Sequence, residues 1–111
     1  MSTALLEPEH IAIRDAVRAF VDREVLPTVT TRERADEYPA DLLPALAALG
    51  VLGMTIPTEL GGSGLDLVGY ALVFEELARG WMGLASVVGS SASGTWLIAR
   101  YGTDDQRARY L

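Results

Sequence analysis

The sequence predicts an all-α bundle of about five helices, and three observations carry that reading. Apolar residues recur at helical spacing through most of the 111 residues. Proline and glycine punctuate those stretches at places suited to helix starts and stops. No convincing internal repeat divides the chain, so residues 1–111 read as one domain with one core.

The first helix starts near Pro8, because the missing N–H of a first-turn proline has no intrahelical partner to lose. It carries Ile13, Val17, Phe20, Val21 and Val25 on one face until Pro27 disrupts it, with Arg14, Asp15, Arg18, Asp22 and Arg23 on the other. His10, the only histidine, is expected to be exposed in its first turn. Thr28 to Tyr38 is polar and charged without a clear period, so it reads as a connector or a frayed extension. Pro39 opens a second helix with Leu42, Leu43, Leu46 and Leu49 at helical spacing, and Gly50 ends it by taking the left-handed conformation. Val51 to Ile56 is expected to pass through the core in extended form. Pro57 to Gly64 is a loop whose three glycines permit backbone angles and close approaches that a side chain forbids.

The third helix spans Leu65 to Ala78, with Leu67, Tyr70, Ala71, Phe74, Leu77 and Ala78 in one stripe, and Gly80 ends it. The fourth runs from Met82 to Tyr101 and is closed by Gly102. Thr103-Asp104-Asp105-Gln106 has the spacing of a capping box that starts a fifth. Tyr110 and Leu111 belong to an apolar stripe that needs further residues, so the ending reads as an interruption of a longer helix.

Composition excludes several function classes. The absence of cysteine removes thiolate zinc sites, disulfide frameworks and a cysteine nucleophile, and it suits a reducing compartment, with the cytoplasm as the expected location. Net charge is -6, every basic residue is arginine, and the arginines are interspersed with acids, so no nucleic-acid footprint is expected. Met1 to Glu7 has no basic region followed by an apolar run, so no signal peptide is expected there. Leu84 to Ala99 is shorter than the ~20 residues that span a bilayer and is rich in serine and glycine; a buried helix is expected, and no membrane.

No catalytic or metal-binding constellation emerges. The glycines of the 57–64 loop invite a phosphate cradle, but no lysine follows and no strand clearly precedes. Glu75 and Glu76 are adjacent on a helix and diverge by about 100°, so they do not converge on one atom; solvation or a structural hydrogen bond is expected. In the fourth helix Ser86, Gly89, Ser90, Ser93 and Gly94 make a small-residue face that either packs closely on a neighbouring helix or walls a ligand cavity. The serines lack a base that would make them nucleophiles. Trp81 and Trp96 are expected in the core, with the rim of a pocket as the other placement.

The stretch Ile56 to Asp66, running into Tyr70 to Gly80, resembles the N-terminal helical domain of acyl-CoA dehydrogenases. The Tyr38-Pro39 helix start, the Leu49 to Gly53 turn, Glu75-Glu76-Leu77-Ala78 and the Tyr101-Gly102 to Leu111 ending are similar too. The resemblance implies a flavoprotein that oxidises an acyl-CoA thioester at its α and β carbons, a carboxylate removing the α proton while FAD accepts the β hydride. It further implies a middle strand domain holding most of the flavin contacts together with a neighbouring subunit, and a C-terminal helical domain holding the base. Neither is expected within residues 1–111, so this chain alone is expected to hold no cofactor and to be inactive. By the same resemblance Ala85, Ser86, Gly89 and Ser93 line the acyl-chain pocket, and their small size implies a long or bulky acyl group from fatty acid metabolism. Flavin-dependent monooxygenases and acyl-CoA or nitroalkane oxidases begin with a similar domain and remain alternatives. A free-standing helical interaction module is a third. A homo-oligomer or a partner chain is expected to cover the exposed apolar face.

Overall fold

The computed structural model describes residues 5–111, which fold into six α-helices with no strand among them. Helix α1 covers Pro8–Phe20 and continues as a π-helical turn, Val21–Val25. Helix α2 is Val29–Arg34, α3 is Leu43–Ala48 after a 3-10 turn at Ala40–Leu42, and a second 3-10 turn lies at Thr58–Leu60. Helices α4 (Leu67–Gly80), α5 (Met82–Tyr101) and α6 (Asp104–Tyr110) complete the chain. The molecule is a slab of 42 × 38 × 18 Å. Its thickness is that of two helix layers, since one helix with side chains measures about 10–12 Å across.

The core forms where α1, α4 and α5 meet. Val17, Phe20, Val21 and Val25 pack with Val73 and Leu77 of α4 and with Leu84, Ala85 and Val88 of α5. Leu42, Leu46, Val51, Met54 and Trp81 belong to the same cluster. The contact of α1 with α4 is close enough at Gly80 that a Cβ there would lie 2.5 Å from Val21 Cγ1.

Four expectations change. The Thr28 to Tyr38 segment contains a helix, α2, which has no apolar stripe; Arg32 anchors it by pairing with Asp41 at 2.6 Å and Glu37 at 3.1 Å. Val51 to Ile56 is a run of turns, with Met54 N–H donating to the Val51 carbonyl and Ile56 N–H to that of Gly53. Helix α4 is rotated from its expected phase: Leu67, Ala71 and Ala78 are exposed, and the buried face is Gly69, Leu72, Val73, Glu76, Leu77 and Gly80. His10 is buried, at 6% exposure, because Asp66 and the Glu7 amide satisfy both ring nitrogens.

Gly50 ends the α3 region at φ +78, and the capping box of Thr103 and Gln106 starts α6, both as expected. By length and composition α5 is apolar enough to cross a membrane. Its inner face, Leu84, Ala85, Val88 and Ala92, packs into the bundle, whereas Trp96, Leu97 and Tyr101 near its C-terminal end are exposed. The expectation of a buried helix therefore holds for one face only.

Candidate functional site

Asp66 sets the start of α4: its carboxylate accepts the Gly69 N–H at 2.9 Å, satisfying one of the donors that a helix start leaves free. The same carboxylate receives His10 Nε2 at 2.9 and 3.0 Å. Because His10 Nδ1 accepts the Glu7 amide at 3.1 Å, the ring proton sits on Nε2 and is donated to Asp66. The Gly69 N–H, and after it His10, hold the Asp66 carboxyl below its ordinary range.

One turn on, Tyr70 stacks on Phe74 with ring centroids 4.7 Å apart, and Phe74 faces α5 at Gly89. A Cβ on Gly89 would lie 3.2 Å from the ring, so the Phe74 side chain packs directly on α5 at that point. Beside it, between the start of α4 and the later turns of α5, lies a groove of about 760 Å³. Its α5 wall is Ala92, Ser93, Trp96 and Leu97. The opposite wall is Leu65, Leu67 and Tyr70, with Asp66 and Thr55 at the edge. The Trp96 ring is braced edge-on by Tyr101, centroids 6.2 Å apart. Asp66 is the only carboxylate among the lining residues, and no arginine is one of them.

The four pocket residues expected from the sequence take different positions. Ser93 lines the groove. Gly89 lies one turn earlier against Phe74. Ser86 is exposed a further turn back, and Ala85 is buried in the core. Trp81 is a core residue whose indole N–H donates to Glu33, but Trp96 is not core; it forms the groove wall. Tyr70 and Asp66 escaped sequence reasoning as groove residues, since Tyr70 falls in the apolar stripe of the third helix and Asp66 has no expected role, whereas Trp96 takes the rim placement that is the alternative to the core.

Other candidate chemistry resolves into structure. Glu76 is buried and bonded to Arg79 Nε at 2.8 Å, and Arg79 also reaches Asp22 at 2.8 Å, so the guanidinium this carboxylate orients ties α4 to the π-helical turn after α1. The glycine loop cannot cradle a phosphate, since the amides of Gly62, Ser63, Gly64 and Leu65 donate to Pro57, Gly53, Ile56 and Met54 carbonyls. Gly62 is needed there because a Cβ would overlap the Ile56 carbonyl. No cluster of three potential metal ligands exists among the described residues.

The sequence profile described as "Acyl-CoA dehydrogenase, N-terminal domain" matches residues 7–111. The chain belongs to the acyl-CoA dehydrogenase family. Its six helices are therefore the N-terminal domain of that family. It is 41% identical over 96% of its length to (2S)-methylsuccinyl-CoA dehydrogenase of Cereibacter sphaeroides, covering 20% of that protein. Glutaryl-CoA dehydrogenase of Mycobacterium smegmatis, solved in complex with FADH2, superposes with a TM-score of 0.91 at 32% identity, over 98% of this chain and 28% of the other. Butyryl-CoA dehydrogenase of Megasphaera elsdenii gives 0.90 at 29% identity, over 100% and 30%. The chain thus spans less than a third of each acyl-CoA dehydrogenase it matches here.

Proposed function

We propose that this domain forms one wall of the acyl-chain pocket of a flavin-dependent acyl-CoA dehydrogenase and contributes no catalytic group of its own. The observation that carries the reading is the groove between α4 and α5, apolar on both walls and containing Ser93. Gly89 extends the same face of α5 toward Phe74, and Ser86 continues it one turn further. The role of the wall is to bind the acyl tail and exclude water, while the reacting α and β carbons lie toward other parts of the enzyme. FAD belongs to the proposal through the family and through the FADH2 bound to the glutaryl-CoA relative. The glycine loop does not fit the flavin's pyrophosphate, because its amides are already committed to carbonyls. The flavin's pyrophosphate is accordingly assigned to elements other than this loop.

The test uses the native polypeptide that carries this domain, purified with its flavin. Anaerobic addition of acyl-CoAs of graded length is expected to bleach the flavin absorbance. Ser93→Phe is expected to lower kcat/KM for long acyl-CoAs by about tenfold while sparing butyryl-CoA, the size of effect that pocket filling has on specificity. Absence of bleaching by any acyl-CoA, or equal losses for short and long substrates, overturns the reading.

A second reading concerns assembly. Leu67, Leu97 and Tyr101 are 80%, 52% and 73% exposed, a large apolar display for a slab two helices thick. That display supports a homo-oligomer or a partner chain over this face. Sedimentation across a dilution series tests it; a monodisperse folded monomer at every concentration is the contrary result.

A further inference from the structure

Helix α2 sits on the bundle without joining its core. None of its six residues is buried, and Val29, in its first turn, rests half-buried against the core cluster. The next buried residue along the chain is Pro39. Between these two seated points the segment is held by two consecutive side chains that reach in different directions. Arg32 donates its Nε–H to the Thr28 hydroxyl at 2.9 Å and its terminal nitrogens to the Asp41 carboxylate at 2.7 and 2.6 Å. Glu33 turns the other way and accepts the indole N–H of Trp81, the single residue that links α4 to α5.

Glycine at position 83 makes the second contact possible. A Cβ there would lie 2.8 Å from Trp81 Nε1 and 3.4 Å from Glu33 Oε1, so a side chain would push the indole off the carboxylate. Beside this contact lies a cleft of about 270 Å³, bounded by Tyr38 and Pro39 after α2 and by Gly83 and Val87 of α5. The segment thus spans a cleft rather than filling it. Polar contacts at a surface resist opening far less than buried apolar area does.

We propose that residues 30–38 form a strap, latched to the α4–α5 junction by Glu33, which opens and closes as a unit while the bundle of α1, α4 and α5 stays folded. Closed, the strap shields Trp81, which is 5% exposed, and fixes its indole at the point where α5 begins. Opening leaves no polar group without a partner, because water replaces Glu33 at the indole N–H and Asp41 at the guanidinium. The latch works in the same way whether or not α5 walls an acyl pocket.

Amide hydrogen exchange on the flavin-loaded native polypeptide, read by mass spectrometry of peptic fragments, tests the strap. The N–H groups of Arg32, Ala35, Asp36 and Glu37 donate to carbonyls of Thr28, Thr31, Glu33 and Arg32, so they report its opening. Relative to their intrinsic rates they are expected to exchange at least about tenfold faster than those of residues 70–78 in α4. Glu33→Ala and Gly83→Ala both introduce the strongest helix former, so neither weakens a helix through its backbone. Each is expected to speed exchange in the strap by about a further fivefold, the effect of one hydrogen bond, and to leave α4 within about twofold of the parent. Glu33→Gln still presents an oxygen to the indole and is expected to exchange like the parent. Equal exchange in the strap and α4 of the parent overturns the proposal, since the two then open together. Alanine variants that leave the strap unchanged, or that speed strap and α4 alike, overturn the latch.

Discussion

His10 Nε2 lies 2.9 Å from Asp66 Oδ1, so the first turn of α1 is bonded to the residue that caps α4, 56 positions later in the chain. Removing the imidazole leaves the Glu7 N–H without its acceptor and opens a void at a buried position. His10→Ala is therefore expected to destabilise the domain by about 1–3 kcal/mol. His10→Gln, whose amide both donates and accepts, is expected to recover part of that loss. Denaturant unfolding of the two variants measures the difference, and equal stabilities would show that the hydrogen bonds contribute nothing beyond volume.

Stability is also expected to fall in acid. The Arg32 side chain holds the Asp41 carboxyl below its ordinary 3.8, and the Gly69 N–H with His10 does the same for Asp66. A lowered folded-state pKa means that the unfolded chain takes up protons first as pH decreases. The associated stabilisation is complete above the ordinary carboxylate pKa and disappears as pH falls through the lower folded values. Asp41→Asn is expected to flatten part of this decline in melting temperature, in the pH range below about 4. A melting temperature with the same acid slope in parent and variant would remove Asp41 from the account.

Gly80→Ala sets two effects of opposite sign against each other. Alanine favours an α-helix over glycine by about 1 kcal/mol. The added methyl, however, would lie 2.5 Å from Val21 Cγ1 and 3.3 Å from Val25 Cγ1, both on the π-helical turn. Overpacking of this kind costs about 1–3 kcal/mol and outweighs the propensity gain. A net loss of about 1–2 kcal/mol is expected by urea unfolding; a gain would mean that the α1 backbone yields readily there.

Much of this architecture was legible because glycine, proline and caps mark helix ends by local chemistry. Pro8, Gly50, Gly80, Met82 to Tyr101 and the Thr103–Gln106 box all lie at the expected boundaries. What escaped depends on contacts distant in sequence. The phase of α4 was ambiguous because apolar residues surround it, and Glu76 can be buried because Arg79, itself held by Asp22, satisfies its charge. Helix α2 has no apolar period and is held by Arg32 reaching Asp41. At the site, the small residue Ser93 and a rim placement for Trp96 were visible, whereas Tyr70 and Asp66 joined the groove only because the start of α4 lies across from the later turns of α5.

Gly89 gives the most direct test of whether this face of α5 governs substrate size. Its position against Phe74 means that a Cβ would meet the ring at 3.2 Å, close enough to require the ring to shift slightly. Gly89→Ala needs only that shift. Gly89→Leu has no room unless Phe74 moves, and Phe74 is stacked on Tyr70, a groove wall residue. The leucine is thus expected to act on the groove in two ways, by its own volume and by displacing Tyr70. In the flavin-loaded enzyme the alanine variant is expected to stay within about threefold of the parent for all acyl-CoAs, and the leucine variant to lose about tenfold or more on long ones alone. Chain-length profiles of kcat/KM measure this. A uniform loss across lengths would place Gly89 in helix packing only and return the small-residue face of α5 to a structural role.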